Sequence, residues 1–168
     1  AWTDRETQAL IDDLLEAFAS STIYFLGTLV LVQPRLKGHA DIVDGQQRIT
    51  SLTIILSVLR DLAATGDEAS LLHSLIGQGG LAFGDRSRWR VTLNHLDADF
   101  FRQHVQTRRA TLALDDMAAA AEAAESESQS RIAASVRLVH DAFHDMSPEE
   151  RLKFSKWLLE EVTVSKVR

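Results

Sequence analysis

Apolar residues recur every third or fourth position along much of the chain, and each such run predicts an amphipathic helix. Thr3, Asp4 and Glu6 form a helix start ahead of Leu10, Ile11, Leu14, Leu15 and Phe18, which places a first helix at residues 4–19. The period then vanishes. Residues 22–32 are β-branched and aromatic and are closed by Gln33-Pro34, so a buried strand is expected there. A turn over residues 35–40 leads to a second short strand at 41–43, and the two strands should pair as a hairpin. After Gly45 the helical period returns: Ile49, Leu52, Ile55, Leu56, Leu59 and Leu62 trace one face of a helix over residues 47–64, widened by Ile54 and Val58.

Further along, a short helix is predicted at 68–76, and Gly77, Gly79, Gly80 and Gly84 mark a loop. Residues 88–93 alternate basic with apolar and read as a third, half-exposed strand that sets Arg88 and Arg90 on one face, followed by a helix at 96–106. Residues 115–127 are alanine-rich and acidic, with high helix propensity and little to bury, which suits a solvated helix or partial disorder. Ile132, Val136, Val139 and Phe143 define a helix over 131–146. Ser147-Pro148-Glu149-Glu150 supplies an N-cap, a proline at the first helical position and a capping-box glutamate for a helix ending near Glu161, and residues 162–167 alternate like a strand. The fold class is therefore α+β, with a small sheet of about three or four strands and a majority of helices.

Composition narrows the picture. The 168 residues, 45% hydrophobic, are enough for one domain; the division expected is residues 1–110 carrying the sheet and residues 111–168 as a helical extension packed on it. With no cysteine, disulfides, thiolate metal sites and thiol redox chemistry are excluded, a composition suited to a reducing cytoplasm. The longest apolar stretches, at 23–32 and 52–59, fall short of the roughly 20 residues of a membrane helix, so no membrane partner is expected. The opening Ala-Trp-Thr-Asp-Arg-Glu has neither the basic region nor the apolar core of a secretory signal, and its lack of Met reads as an excised piece. The net charge of −6 argues against a surface wholly built for phosphate backbones. Arginines nevertheless gather at Arg86, Arg88, Arg90, Arg102, Arg108 and Arg109, either as a local basic face or as one of two solvated surfaces beside the acidic 115–127 stretch.

The candidate chemistry centres on Asp44-Gly45-Gln46-Gln47-Arg48, at the junction of a strand and a long helix. Glycine lets the chain turn tightly and lets a ligand approach the backbone. The unpaired first-turn N–H groups and the helix dipole attract anions. Arg48 adds a planar cationic fork suited to phosphate, Gln46 and Gln47 offer amides, and Thr50 offers a hydroxyl. Asp44, repelled by phosphate, would hold a divalent cation, orient a water, or fix Arg48 or the loop N–H groups. Spacing alone fits equally an Asp44 N-cap, a Gly45 turn and solvated first-turn residues.

Tyr24-Phe25-Leu26-Gly27-Thr28-Leu29-Val30 followed by Ile42-Val43-Asp44-Gly45-Gln46-Gln47-Arg48-Ile49-Thr50-Ser51-Leu52 resembles the N-terminal domain of GmrSD-type restriction endonucleases, the DGQQR family of the ParB/sulfiredoxin-like superfamily. Arg90-Val91-Thr92-Leu93, with Asp97, Phe100 and Phe101, resembles that family's later strand-helix segment. The resemblance implies a ParB/sulfiredoxin-like sheet and a domain that binds and hydrolyses a nucleoside triphosphate with a divalent cation, magnesium by class. It implies coupling to recognition or cleavage of modified or foreign DNA in phage defence. Asp44, Gln47 and Arg48 then take the catalytic roles, Gly45, Gln46, Gln47, Arg48 and Thr50 bind phosphate, and Arg88 and Arg90 are candidate DNA contacts. A nucleotide-switched binding module without catalysis, as in the ParB relatives, is the alternative, and a helical interaction domain with a vestigial motif is a third.

Members of the family also carry a Tyr-Gln-Arg element ahead of an aromatic-x-Trp, which Trp2 resembles, and an asparagine- and glycine-bearing motif after the last helices. Both are expected outside residues 1–168, as is a nuclease domain or subunit, since no HNH-like cluster is present.

Other constellations are weaker. His140 and His144, flanked by Asp141 and Asp145, have helical spacing for two metal ligands but lack the neighbouring glutamate of a zinc helix, and packed or solvated histidines account for them. Trp89 between two arginines reads as a base-stacking residue or, more simply, a core aromatic, and His39, just before the second strand, is a minor candidate to face the nucleotide.

Overall fold

The computed structural model describes residues 3–32, 40–78 and 88–167, with only the backbone at Arg88. The helix α2 (Gln46–Leu62) organises it, because its run from Thr53 to Arg60 is buried at every position. A helix buried on all sides needs neighbours all round. They are α3 (Gly66–Ile76), α6 (Glu127–His144) and the turns at 102–106 and 110–112, while α1 (Asp4–Ala19), started by a reciprocal Thr3–Glu6 capping box, packs on α6. Leu14, Val58, Leu59, Val136 and Phe143 meet in one apolar cluster that also takes in Phe101, Met117 and Phe154.

The sheet lies along one edge of this bundle. Its centre is β1 (Tyr24–Val32), with β2 (Asp41–Asp44) antiparallel on one side and β5 (Val162–Val167) parallel on the other. β5 begins immediately after α7 (Pro148–Glu161), whose Trp157 indole donates to the Thr22 carbonyl at 3.1 Å and pins the entry to β1. The predicted hairpin is present; its turn, residues 33–39, lies outside the described residues, as does His39.

Three local expectations need correction. The third strand expected at 88–93 is only β4 (Arg88–Trp89), paired with β3 (Gly77–Gln78) in a ribbon of its own. The ladder stops because Arg90 turns back on α3: its backbone N–H donates to the Ile76 carbonyl at 3.0 Å and its Nε to the Ser74 carbonyl at 2.9 Å. The helix expected at 96–106 is split into α4 (Ala98–Phe101) and a π-helical turn, Arg102–Gln106, behind an Asn94 turn whose Oδ1 accepts from Leu96 and Asp97. The acidic segment forms α5 (Leu114–Ala123), and it does have something to bury, since Met117 and Ala121 pack inward beside α6. The acids occupy its other faces. Among the described residues no helix is long and apolar enough to cross a membrane.

The polar centre of the fold is at the C-terminal end of α2. Arg60, 2% exposed, donates to the carbonyls of Val105, Gln106 and Thr107 at 3.1, 2.5 and 2.8 Å, which satisfies the frayed end of the π-helical turn. Asp61 holds Arg60 through two bonds of 2.7 and 3.0 Å and accepts from the Arg109 N–H, the Thr111 N–H and the Thr111 hydroxyl. That grip keeps Arg109 in a left-handed conformation, φ 66°. His73 Nδ1 lies 3.3 Å from Arg60 Nη1. A guanidinium only donates, so the imidazole accepts there and is neutral. Burial foremost, then Arg108 and Arg60, hold its pKa below the ordinary value near 6.5.

Two outcomes follow. Arg60→Ala strands Asp61 and the three carbonyls, and should lower the unfolding free energy by about 3–5 kcal/mol in urea titration. His73 is harder to protonate folded than unfolded, so its contribution is complete above pH 6.5 and is lost as pH falls through its depressed folded value. His73→Gln should therefore flatten part of the acid-side fall in stability; an unchanged slope would show that His73 does not drive it.

Candidate functional site

Gly45 joins β2 to α2 with φ 90°, in the left-handed region. A Cβ there would run into the Leu29 side chain and stand 3.2 Å from the Thr28 carbonyl, so glycine is required both by the turn and by its close approach to β1. Asp44 Oδ1 accepts from the Gly45 N–H at 2.9 Å, and Gln46 Nε2 donates to the Ile42 carbonyl at 2.6 Å. These two bonds fold the first helical turn back against the end of β2.

The first helical bond runs from Ile49 N–H to the Gly45 carbonyl at 3.2 Å. The N–H groups of Gln46, Gln47 and Arg48 have no acceptor among the described residues, and no side chain caps the helix. These residues, with Val43, Asp44 and Gly45, line a cleft of about 300 Å³. Gln47 is exposed, and Val43, 64% exposed, adds an apolar surface.

Arg48 is half-buried and reaches across β1 at Gly27. There the strand bulges: the β1–β5 register shifts between Phe25 and Gly27, and Gly27 takes φ 124°. Beside it, the Tyr24 hydroxyl lies 3.5 Å from Asp13 Oδ2. Burial, then Asp13, raise the Tyr24 pKa, and the positive charge of Arg48 opposes them. Among the described residues the Arg48 guanidinium makes neither a hydrogen bond nor an ion pair, and Asp44 does not pair with it. A half-buried cation beside free N–H groups is a place for an anion.

Asp44, Gly45, Gln46, Gln47 and Arg48 thus line one cleft. Thr50 does not line it; its hydroxyl donates to the Gln46 carbonyl at 2.9 Å. Arg90 follows the β3–β4 ribbon and bonds to α3, near the other end of α2; Arg48 and Arg60 are about 18 Å apart along that helix at its rise per residue. The Arg88 side chain lies outside the described residues. Trp89, partly buried, packs edge-on against His73 at 6.1 Å, the simpler of its two readings. His140 and His144 stack on each other at 5.0 Å, and among the described residues no three His, Cys, Asp or Glu side chains group around a metal position.

Gly27, Tyr24 and Asp13 carried no role in the sequence reading. For Gly27 a signal existed: an isolated glycine in a β-branched run marks a bulge or a close approach. Nothing in the spacing linked Asp13 to Tyr24.

The profile of a protein family described as GmrSD restriction endonuclease, N-terminal domain, matches residues 1–166. No curated protein matches the chain.

Proposed function

Because the chain belongs to the family of GmrSD restriction endonuclease N-terminal domains, we propose that the start of α2 binds a nucleoside triphosphate and takes part in its hydrolysis, in the service of modification-dependent DNA restriction. The observation that carries this reading is Arg48, a half-buried guanidinium that, among the described residues, has no protein anion and stands beside three N–H groups with no acceptor.

In this reading the N–H groups of Gln46, Gln47 and Arg48 receive phosphate oxygens, and Arg48 holds charge on the transferred group. Gln47 is free to orient a water or a phosphate oxygen, and the exposed Val43 offers a base an apolar surface. Asp44 fits a divalent cation: one carboxylate oxygen accepts from Gly45 N–H, and the other is exposed with no partner among the described residues. One carboxylate plus substrate phosphates is a common magnesium arrangement, and the ion supplies neutralisation of phosphate charge. Family membership supports DNA as the partner, with cleavage assigned to another domain or subunit. The exposed Arg90, held by its Nε, is the described candidate for a backbone contact, with Arg88 beside it in sequence.

A second reading, nucleotide-switched binding without hydrolysis, is favoured by one detail. The bond from Gly45 N–H to Asp44 Oδ1 makes that carboxylate a builder of the turn.

Calorimetry on the full-length protein should detect triphosphate binding, and Arg48→Ala should weaken it by about 10- to 100-fold, the scale of lost charge-assisted hydrogen bonds. No binding by the wild type would remove the nucleotide reading. Phosphate release with and without DNA decides between the two forms: turnover abolished by Gln47→Ala with binding retained supports hydrolysis, whereas binding without turnover in the wild type supports the switch.

A further inference from the structure

Resting on the anion-site reading above, we infer that Gly27 is a positioning residue of the site: its bare backbone is the seat on which the Arg48 guanidinium is held. A Cβ at Gly27 would stand 2.6 Å from Arg48 Nη1, 3.2 Å from Cζ and 3.6 Å from Cδ. The arginine therefore occupies the space that a side chain at residue 27 would take. Arginine loses rotamer freedom when it is held in one place. Here the sheet lies against the guanidinium at Gly27, and no acid among the described residues pairs with it.

The sequence builds the seat in two steps. The bulge between Phe25 and Gly27 breaks the alternation of β1, so that buried Leu26 is followed by a second position on the helix-bearing side. Glycine at that second position then leaves a notch instead of a side chain. Tyr24, whose phenol is within electrostatic reach of Arg48, stands beside the notch on the same strand. The helix brings Arg48 to β1 from above, because Gly45 has already been folded onto Thr28 and Leu29. Residues of β1 that do not line the cleft thus fix where the guanidinium sits.

A purely structural glycine, needed only for φ 124°, is the competing account. The two differ in what a methyl group does. The atom it meets is the end of a flexible side chain, so an alanine can be admitted by moving Arg48 off its seat, leaving the backbone strain at φ 124° as a separate matter.

The test is a double-mutant cycle on the full-length protein, with inorganic tripolyphosphate as the probe in calorimetry and thermal unfolding followed in parallel. Gly27→Ala should weaken binding roughly tenfold in the wild-type background and have no further effect in Arg48→Ala, the non-additivity expected of residues in contact. Unchanged affinity in Gly27→Ala, or the same loss in both backgrounds, would overturn the inference while leaving the anion site standing. No tripolyphosphate binding by the wild type would overturn both. Should Gly27→Ala not fold, the double variant decides: recovery of folding in Gly27→Ala/Arg48→Ala assigns the defect to the Arg48 contact, and equal failure assigns it to backbone alone and overturns the proposal.

Discussion

The buried guanidinium of Arg60 is the interaction on which the arrangement depends. It closes the carbonyls of residues 105–107, is locked by Asp61, and through Asp61 draws in the backbone of Arg109 and Thr111. Arg151 adds a second tie at the same end, donating to the carbonyls of Leu62, His144 and Met146. The C-terminal end of α2 is thereby bound to the π-helical turn, to the 110–112 turn and to the junction of α6 with α7. A helix fixed at one end and buried along its length has little freedom at the other. The first turn of α2 inherits its position from contacts made several turns away.

The two ends of α2 treat arginine in opposite ways. Arg60 lies among acceptors that leave its charge fully answered, at a cost in desolvation that those bonds offset. Arg48, half-buried at the other end, has glycine beneath it and a phenol near it, and no acceptor among the described residues. The same contrast holds for the backbone. The carbonyls near Arg60 are occupied, whereas the N–H groups of residues 46–48 have no acceptor among the described residues. Satisfied polarity marks the end that holds the fold together, and unsatisfied polarity marks the end available to a ligand.

Much of this was legible beforehand, for reasons that differ from place to place. The Ser147-Pro148 start of α7 is set by local bonds, and Glu150 N–H does donate to Ser147 Oγ at 3.1 Å. The run from Asp44 to Arg48 is contiguous, so the chain had to bring it together once β2 and α2 formed. The alternation at 88–93 misled because period reports which side chains can be buried, not which backbone groups find partners; Arg90 found the end of α3 instead of a strand. The alanine-rich stretch misled because alanine and one methionine suffice to pack a short helix closely on a neighbour. The seat of Arg48 was beyond sequence altogether. It joins residues 27 and 48 through a bulge whose register is set by β5, from the far end of the described chain.

That last pairing has a kinetic side. β1 is made well before its parallel neighbour β5, and the β1–β5 pairing and the Trp157 bond to Thr22, spanning 135 residues, cannot form until those later residues have emerged. Closing so long a loop is slow compared with packing neighbouring helices. Until it closes, β1 has a bare edge and Gly27 no bulge partner. On the ribosome, then, the helical bundle can assemble while the cleft has no fixed floor, and the Arg48 seat is completed only once β5 is in place.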